Sequence, residues 1–333
     1  MQRYLLSAWI GLLVLTFALW AQEKKPDKSE QKPAEKGPAD LKLAFKPNDK
    51  YFQKLSSSTT QTLKIQNQDV KQNQEQEFVF SWTVKSVAAD KVEIEQRIEA
   101  VRMVITIGSN RIEYDSRRKD QPENPVASFF KPLIGATFTL TVDPKTHRVL
   151  SVQGRDDFVK RLRDANPNMA QLLGQILSED QMKQMAEPAF AFLPPTPVAV
   201  GGSWEREARL TLGPLGSYDA KYSYTYLGKE KKDSAELDKI EVKGSIKYKP
   251  PESAQAGGLP FKIEGGNLEA KEITGTIYFD SQKGRQASSD MTVRLSGKLT
   301  ISVGDQKAEV ELEQTQTTKV ETSDTLPDDS KKP

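Results

Sequence analysis

The sequence predicts an α+β protein that is mainly β, with large antiparallel, curved sheets in a half-barrel or sandwich-like arrangement. Apolar and polar residues alternate with a period of two through most of the chain after residue 41, as expected for half-buried strands. These segments are rich in Thr, Val, Ile and Tyr, which favour strands. One segment, at about 155–192, has helical spacing instead and predicts a short helical insertion. A length of 333 residues fits two domains or one large β-rich domain.

The first 21 residues predict export. They combine Arg3 in a short n-region with an apolar run from Leu5 to Trp20, and Ala21 provides a cleavage position. We interpret residues 1–21 as a signal peptide, which places the protein in the periplasm or outside the cell. The alternative is an uncleaved N-terminal membrane anchor, because the run is almost long enough to span a bilayer. Membrane contact is expected only through this segment, if it is uncleaved.

The ends of the chain predict disorder, and the region between them divides into two halves. Residues 22–40 are rich in charges and prolines and predict a disordered linker, because such a segment buries too little apolar surface to fold. Residues 323–333 have the same character and predict a disordered tail. We expect an N-terminal β-rich half at 41–195 that includes the helical insertion. A C-terminal antiparallel half follows at 196–322.

Composition excludes several kinds of partner and site. The 48 Lys and Arg residues nearly balance the 46 Asp and Glu residues and are interspersed with them, which disfavours a nucleic-acid partner. The chain has no cysteine, so its fold must depend on burial and hydrogen bonding without disulfides. With a single histidine, a zinc site would need mostly carboxylate ligands. We expect no metal site and no cofactor.

The first half begins with clear strand signals. Phe78, Phe80, Trp82 and Val84 share one parity, which predicts an antiparallel strand with one face on the core. The next segment changes its apolar parity between Ala100 and Val101, and we place a β-bulge or sharp bend there. The segment Leu63–Gln74 is interpreted as a link between strands. The Gly304-Asp305 pair predicts a tight hairpin. Further alternating segments are Phe138–Val142, Ile240–Val242, Ile246–Tyr248, Met291–Leu295, Leu299–Val303 and Val310–Leu312.

Two short stretches indicate that the halves are related. In TVDPKTHRV (Thr141–Val149) and YFDSQKGRQ (Tyr278–Gln286), aligning the two Asp residues places His147, the only histidine, opposite Gly284. The residue that closes such a turn often needs a positive φ, which Gly accepts freely and His adopts more often than most residues. We therefore interpret His147 as a turn residue and expect no catalytic residue there.

The insertion predicts two or three short helices. Ser178 and Gln181 form a capping-box signature within it, and Pro194 ends the helical region. The apolar residues at helical spacing are Phe158, Leu162, Met169, Leu172, Leu173, Ile176, Leu177, Met182 and Met185.

The chain resembles a family of uncharacterised, exported bacterial proteins. The features that carry the resemblance are the signal segment, the charged linker, LKLAFKPNDKYFQKL (Leu41–Leu55), the Asp-turn-Arg hairpin, and LPPTPVAVGGSW (Leu193–Trp204). It covers residues 41–322 and implies no assigned activity and no catalytic residues.

Catalytic motifs are not recognisable. The segment around Ser203 lacks the second glycine of a nucleophile elbow, and no phosphate-binding loop occurs. Two carboxylate pairs, Asp156 with Asp157 and Glu179 with Asp180, open helical segments, where the helix dipole favours negative charge. An acid/base role for such pairs would make the protein a hydrolase, and this stays an alternative.

The leading functional hypothesis is a non-enzymatic envelope protein that binds an apolar, lipid-like molecule or another envelope protein. Helices over a concave sheet can enclose an apolar ligand, and Met169, Met182 and Met185 are the candidate contacts because methionine adapts to irregular surfaces. Ordinary packing of helices on a sheet explains the same residues. A structural or protein-interaction scaffold with a filled core is therefore an open alternative, beside the hydrolase with an unrecognised carboxylate site.

Overall fold

A computed structural model describes residues 37–65, 68–232, 235–252 and 259–327. The predicted signal peptide, the linker up to residue 36 and the tail from residue 328 lie outside the described residues. Within the described ranges, no helix has both the length and the apolar character needed to cross a membrane.

One antiparallel sheet of thirteen strands makes up most of the described chain, which confirms the predicted mainly β class. The strands are β1 (Lys50–Ile65), β2 (Gln68–Val87), β3 (Val92–Ile107), β4 (Asn110–Asp115), β5 (Thr137–Val142), β6 (Val149–Gln153), β7 (Ser203–Thr211), β8 (Ser217–Lys232), β9 (Ala235–Lys249), β10 (Lys262–Gly266), β11 (Glu269–Asp280), β12 (Arg285–Val303) and β13 (Gln306–Ser323).

The order of the strands brings the first and last strands, β1 and β13, together at the centre of the sheet. The order is β6-β5-β3-β2-β1-β13-β12-β11-β9-β8-β7, with β4 beside β3 and β10 beside β12. The first half of the chain thus runs outward from β1 to β6, and the second half runs inward from β7 to β13. The sheet is not closed, because its end strands β6 and β7 do not pair with each other.

The helical insertion connects these two end strands. It contains α2 (Arg155–Ala165), α3 (Ala170–Ile176), α4 (Glu179–Ala186) and α5 (Pro188–Ala191), each joined to the next by a short connection. The Ser178 side chain accepts a hydrogen bond from the Gln181 backbone, as the capping signature predicts. Helix α4 packs against both β6 and β7, so the insertion bridges the gap between the sheet ends. A helix that was not predicted, α1 (Pro125–Phe130), covers the end of the sheet at β3 and β4.

Three local predictions can be compared with the strands. The bulge is confirmed, because the β2–β3 register shifts between Val79 and Phe80, opposite Ala100 and Ile98. The Gly304-Asp305 turn is also confirmed and joins β12 directly to β13. Interpreting Leu63–Gln74 as a link was wrong, since its described residues belong to strands β1 and β2, which pair with each other. Polar side chains on both faces of these strands hide the apolar alternation on which the prediction depended.

The helices and the segment around Leu193 cover one face of the sheet, which we call the inner face. Two apolar clusters lie on it, one mainly in the first half with α2 and α3, the other on β8, β9, β11 and β12. Trp82 belongs to the first cluster and is stacked on Tyr51, with ring centroids 6.0 Å apart. The opposite face is also buried locally, since Ser81 and Glu77 are each 6% exposed there. Ser81 donates a hydrogen bond to Glu99 (2.6 Å), and Arg117 pairs with Glu77.

Candidate functional site

A groove of about 500 Å³ lies where the two ends of the sheet approach each other. Helices α4 and α5 and the β5–β6 turn form one wall, and strands β7 and β8 form the other. The apolar floor is formed by Phe192, Tyr222, Tyr224, Ile277 and Met291. Because these residues come from four separate elements, only the folded chain brings them together.

Two side chains of β7 fix the wall opposite them. Trp204 donates from Nε1 to the Phe192 carbonyl (3.0 Å). Arg206 donates to the Ala191 carbonyl from Nε (3.1 Å) and to the Leu193 carbonyl from Nη2 (2.8 Å). These bonds satisfy carbonyl groups at the end of α5, which otherwise lack partners within the helix. These bonds therefore tie the segment at the end of α5 to β7 beside the groove.

The tyrosines of the floor carry no charge. Burial raises the pKa of Tyr222 and Tyr224 well above the ordinary value, so both side chains stay neutral at physiological pH. Their rings lie side by side, and Tyr224 is stacked on Trp204 with centroids 5.6 Å apart. The floor thus offers an uncharged aromatic surface suited to apolar molecules.

Charged residues at the rim of the groove pair mostly with other charged residues. Glu207 is 2.6 Å from Lys221, and Arg209 is 3.6 Å from Asp219. Arg148 of the β5–β6 turn lies 4.0 Å from Glu187, which follows α4 on the same wall. The described residues that line the groove include no Ser, Cys or His. This arrangement can hold an apolar molecule, and it provides no histidine-activated nucleophile.

The three candidate methionines lie outside this lining. Met169 and Met182 are partly buried and pack against the first apolar cluster, whereas Met185 on α4 is 44% exposed. The same helical region contributes Gln184 and Glu187 to the groove instead. Contact between the methionines and a ligand stays a prediction.

The candidate carboxylate pairs lie on the surface. Asp156 and Asp157 are exposed in the first turn of α2, and Glu179 and Asp180 are exposed in the first turn of α4. Their positions match the expected interaction with the helix dipole. Among the described residues, no group of three or more His, Asp or Glu side chains could hold a metal ion.

His147 closes the β5–β6 turn with the predicted backbone conformation. Its φ is +60° and that of Gly284 in the β11–β12 turn is +59°, so the two positions match. The His147 backbone N–H donates to the Asp143 carbonyl (2.8 Å), and its imidazole is 3% exposed. Burial, together with the nearby positive charge of Arg206, lowers the pKa of His147 to about 4. The imidazole is therefore neutral at physiological pH.

Arg206 and the groove tyrosines were not predicted from the sequence as site residues. The alternating tyrosines from Tyr218 to Tyr226 carry a strand signal that could have placed β8. Nothing local in the sequence indicates that α5 packs opposite them.

The model of a family of unknown function, DUF6263, matches residues 89–285, more than half of the chain. No curated protein matches the sequence. Among solved structures, a lipovitellin structure that concerns lipid–protein interactions has a TM-score of 0.41 at 10% identity, and the match covers 87% of this chain and 27% of lipovitellin. The outer membrane protein OprG from Pseudomonas aeruginosa has a TM-score of 0.22 at 6% identity, with coverage of 83% and 97%. DynF from Micromonospora chersina has a TM-score of 0.19 at 8% identity, with coverage of 89% and 92%.

Proposed function

Since the chain belongs to DUF6263, a family of unknown function, we propose from its own geometry that it is an exported, non-enzymatic envelope protein whose groove binds an apolar, lipid-like molecule. The observation that carries the proposal is the groove itself. Its volume of about 500 Å³ lies within the range of ligand sites, and its floor combines aromatic and aliphatic side chains.

The charges around the groove are consistent with an apolar ligand. Because Glu207 and Arg209 each have an opposite charge nearby, the rim does not require a charged group from the ligand. Ala208 lies on the groove side of β7 and is exposed, so this part of the wall is open to solvent. A molecule in the groove would bury the apolar surface that the floor and walls still expose, at little cost in lost polar contacts.

The non-enzymatic part of the proposal is supported by the candidate catalytic residues. The carboxylates of Asp156 and Asp180 are exposed to solvent, and the backbone of His147 closes a turn. Export is proposed from residues 1–21. Intact mass of the protein recovered from a bacterial envelope tests this part, and retention of those residues would favour the membrane anchor.

Two measurements test binding. Native mass spectrometry of freshly purified protein should show a co-purifying apolar molecule, and pyrene, an apolar fluorescent hydrocarbon, should bind to protein from which that molecule has been removed. Ala208→Trp should fill the groove and weaken pyrene binding at least about tenfold, because a bulky ring then occupies the ligand's space. Ala235→Trp, at an exposed position at the start of β9, is the matched control and should bind like the parent.

Absence of both co-purifying molecules and pyrene binding would contradict the proposal and favour a scaffold with a filled core. Equal binding by the two Trp variants would place any ligand outside the groove. If the methionines of the insertion contact the ligand, replacing Met182 and Met185 with Gln should reduce binding more than it reduces folding stability.

A further inference from the structure

A block of uncharged polar side chains occupies the centre of the inner face. It consists of Ser57, Thr59 and Gln61 of β1 and the residues that pair with them, three Gln on β2 and two Gln with one Thr on β13. We call these nine residues the polar grid. They fill three successive inner-face positions on three adjacent strands, and none carries a charge.

Apolar residues surround the polar grid on the same face. Leu63 pairs with Leu312 at one end of it, and Met291 and Val293 of β12 pair with its β13 residues. These four residues belong to the two apolar clusters of the inner face. Eight of the nine grid residues are buried, so the grid lies inside the protein core.

Part of the polar grid has hydrogen-bond partners and part does not. Gln316 donates to the Ser57 hydroxyl (3.2 Å), and Thr318 also donates to it (3.4 Å). Gln61 is 1% exposed, yet neither its amide nitrogen nor its amide oxygen has a partner among the described residues. The Thr59 hydroxyl likewise has no partner there.

Unpartnered polar atoms in a core destabilise the fold, because they have lost water without gaining a replacement. Valine at position 59 or methionine at position 61 would fill nearly the same space without this cost. A side chain that destabilises the protein alone suggests that its hydrogen bonds are made to a bound molecule, as at many functional sites.

We infer that the polar grid binds an uncharged hydrogen-bonding group, such as an ester, amide or hydroxyl, of the apolar molecule proposed to lie in the groove. The inference rests on that proposed function. Met291 lines the groove and pairs with Thr318, so the polar grid begins one strand beyond the groove floor. A carboxamide both donates and accepts, which suits a neutral polar group. A charged group would be desolvated there without an opposite charge beside it.

The test compares near-isosteric variants with three probes: pyrene, a monoacylglycerol, and the free fatty acid of the same chain length. The parent should bind the monoacylglycerol more tightly than the fatty acid. Thr59→Val and Gln61→Met, made separately, should each unfold at the same temperature as the parent or higher. Each should bind the monoacylglycerol about tenfold more weakly for every hydrogen bond lost, and pyrene as before. Thr60→Val, on the exposed side of the same strand, is the control and should change neither property.

Three results would overturn the inference. A clear fall in unfolding temperature for both grid variants, with unchanged binding, would show that the polar grid is structural and satisfied by internal water. Unchanged monoacylglycerol affinity, or a preference of the parent for the fatty acid, would exclude recognition of a neutral group at the grid. If the parent binds none of the three probes, the proposed function itself fails, and the inference fails with it.

Discussion

His147 should make the stability of the protein depend on pH between about 6.5 and 4. In the folded chain, burial and the charge of Arg206 lower its pKa from 6.5 to about 4. Below pH 6.5 the unfolded chain binds a proton that the folded chain does not, so the folded state loses stability as the pH falls. Below about pH 4 both states are protonated, and this contribution stops changing. Above pH 6.5 the imidazole is neutral in both states, and the folded protein keeps this part of its stability in full.

The size of the effect follows from the interval between the two pKa values. At about 1.4 kcal/mol per pH unit, lowering the pH from 7 to 4.5 should remove about 2 kcal/mol of unfolding free energy. This is an upper value, because Thr146 and Arg148 on either side of His147 are exposed and allow solvent to screen the charge. Carboxylates with a lowered pKa, such as Asp115, lose their contribution mainly below this range.

The assay is urea unfolding at pH 7 and pH 4.5 for the parent and for His147→Asn. Asn adopts a positive φ readily, so the turn is retained, and it does not titrate. The parent should lose up to about 2 kcal/mol more than the variant over this range. Equal losses would refute the reasoning, since they would mean that the imidazole titrates in the folded protein as it does in water.

Two further predictions concern packing and backbone. Trp82→Ala should lower the unfolding free energy by about 3 to 5 kcal/mol, because Trp82 is 3% exposed, whereas Thr83→Ala should lower it little. Similar small losses for the two variants in urea unfolding would mean that the inward side of β2 is misassigned. Gly284→Ala should be more destabilising than Gly304→Ala by about 1 to 3 kcal/mol, although φ is +59° at both positions. The reason is that a Cβ at position 284 overlaps the backbone of Ala44, whereas a Cβ at position 304 has no atom within 4 Å. Equal melting temperatures for the two variants would contradict this explanation.

Features that depend on neighbours in the chain were predictable from the sequence. The parity of Trp82 indicates which side of β2 faces the core, and the change of parity near Ala100 indicates a bulge, because both follow from the two-residue period of a strand. The positive φ of His147 was predictable from its alignment with Gly284, since turn geometry is set by a few consecutive residues. The capping of α4 by Ser178 is local in the same way.

The groove and the polar grid required the tertiary structure. Tyr222 and Phe192 line the same groove only because the insertion returns the chain across the open end of the sheet, and no spacing in the sequence encodes that arrangement. The burial of Gln61 was likewise not predictable from the sequence. Its segment carries polar residues on both faces, so alternation gives no strand signal, and its inward side is fixed by pairing with β13 some 250 residues later. By itself, the sequence determined the strand and helix periods and the turns of this protein. Long-range strand pairing decided which side chains are buried together, because burial depends on partners that local periodicity cannot specify.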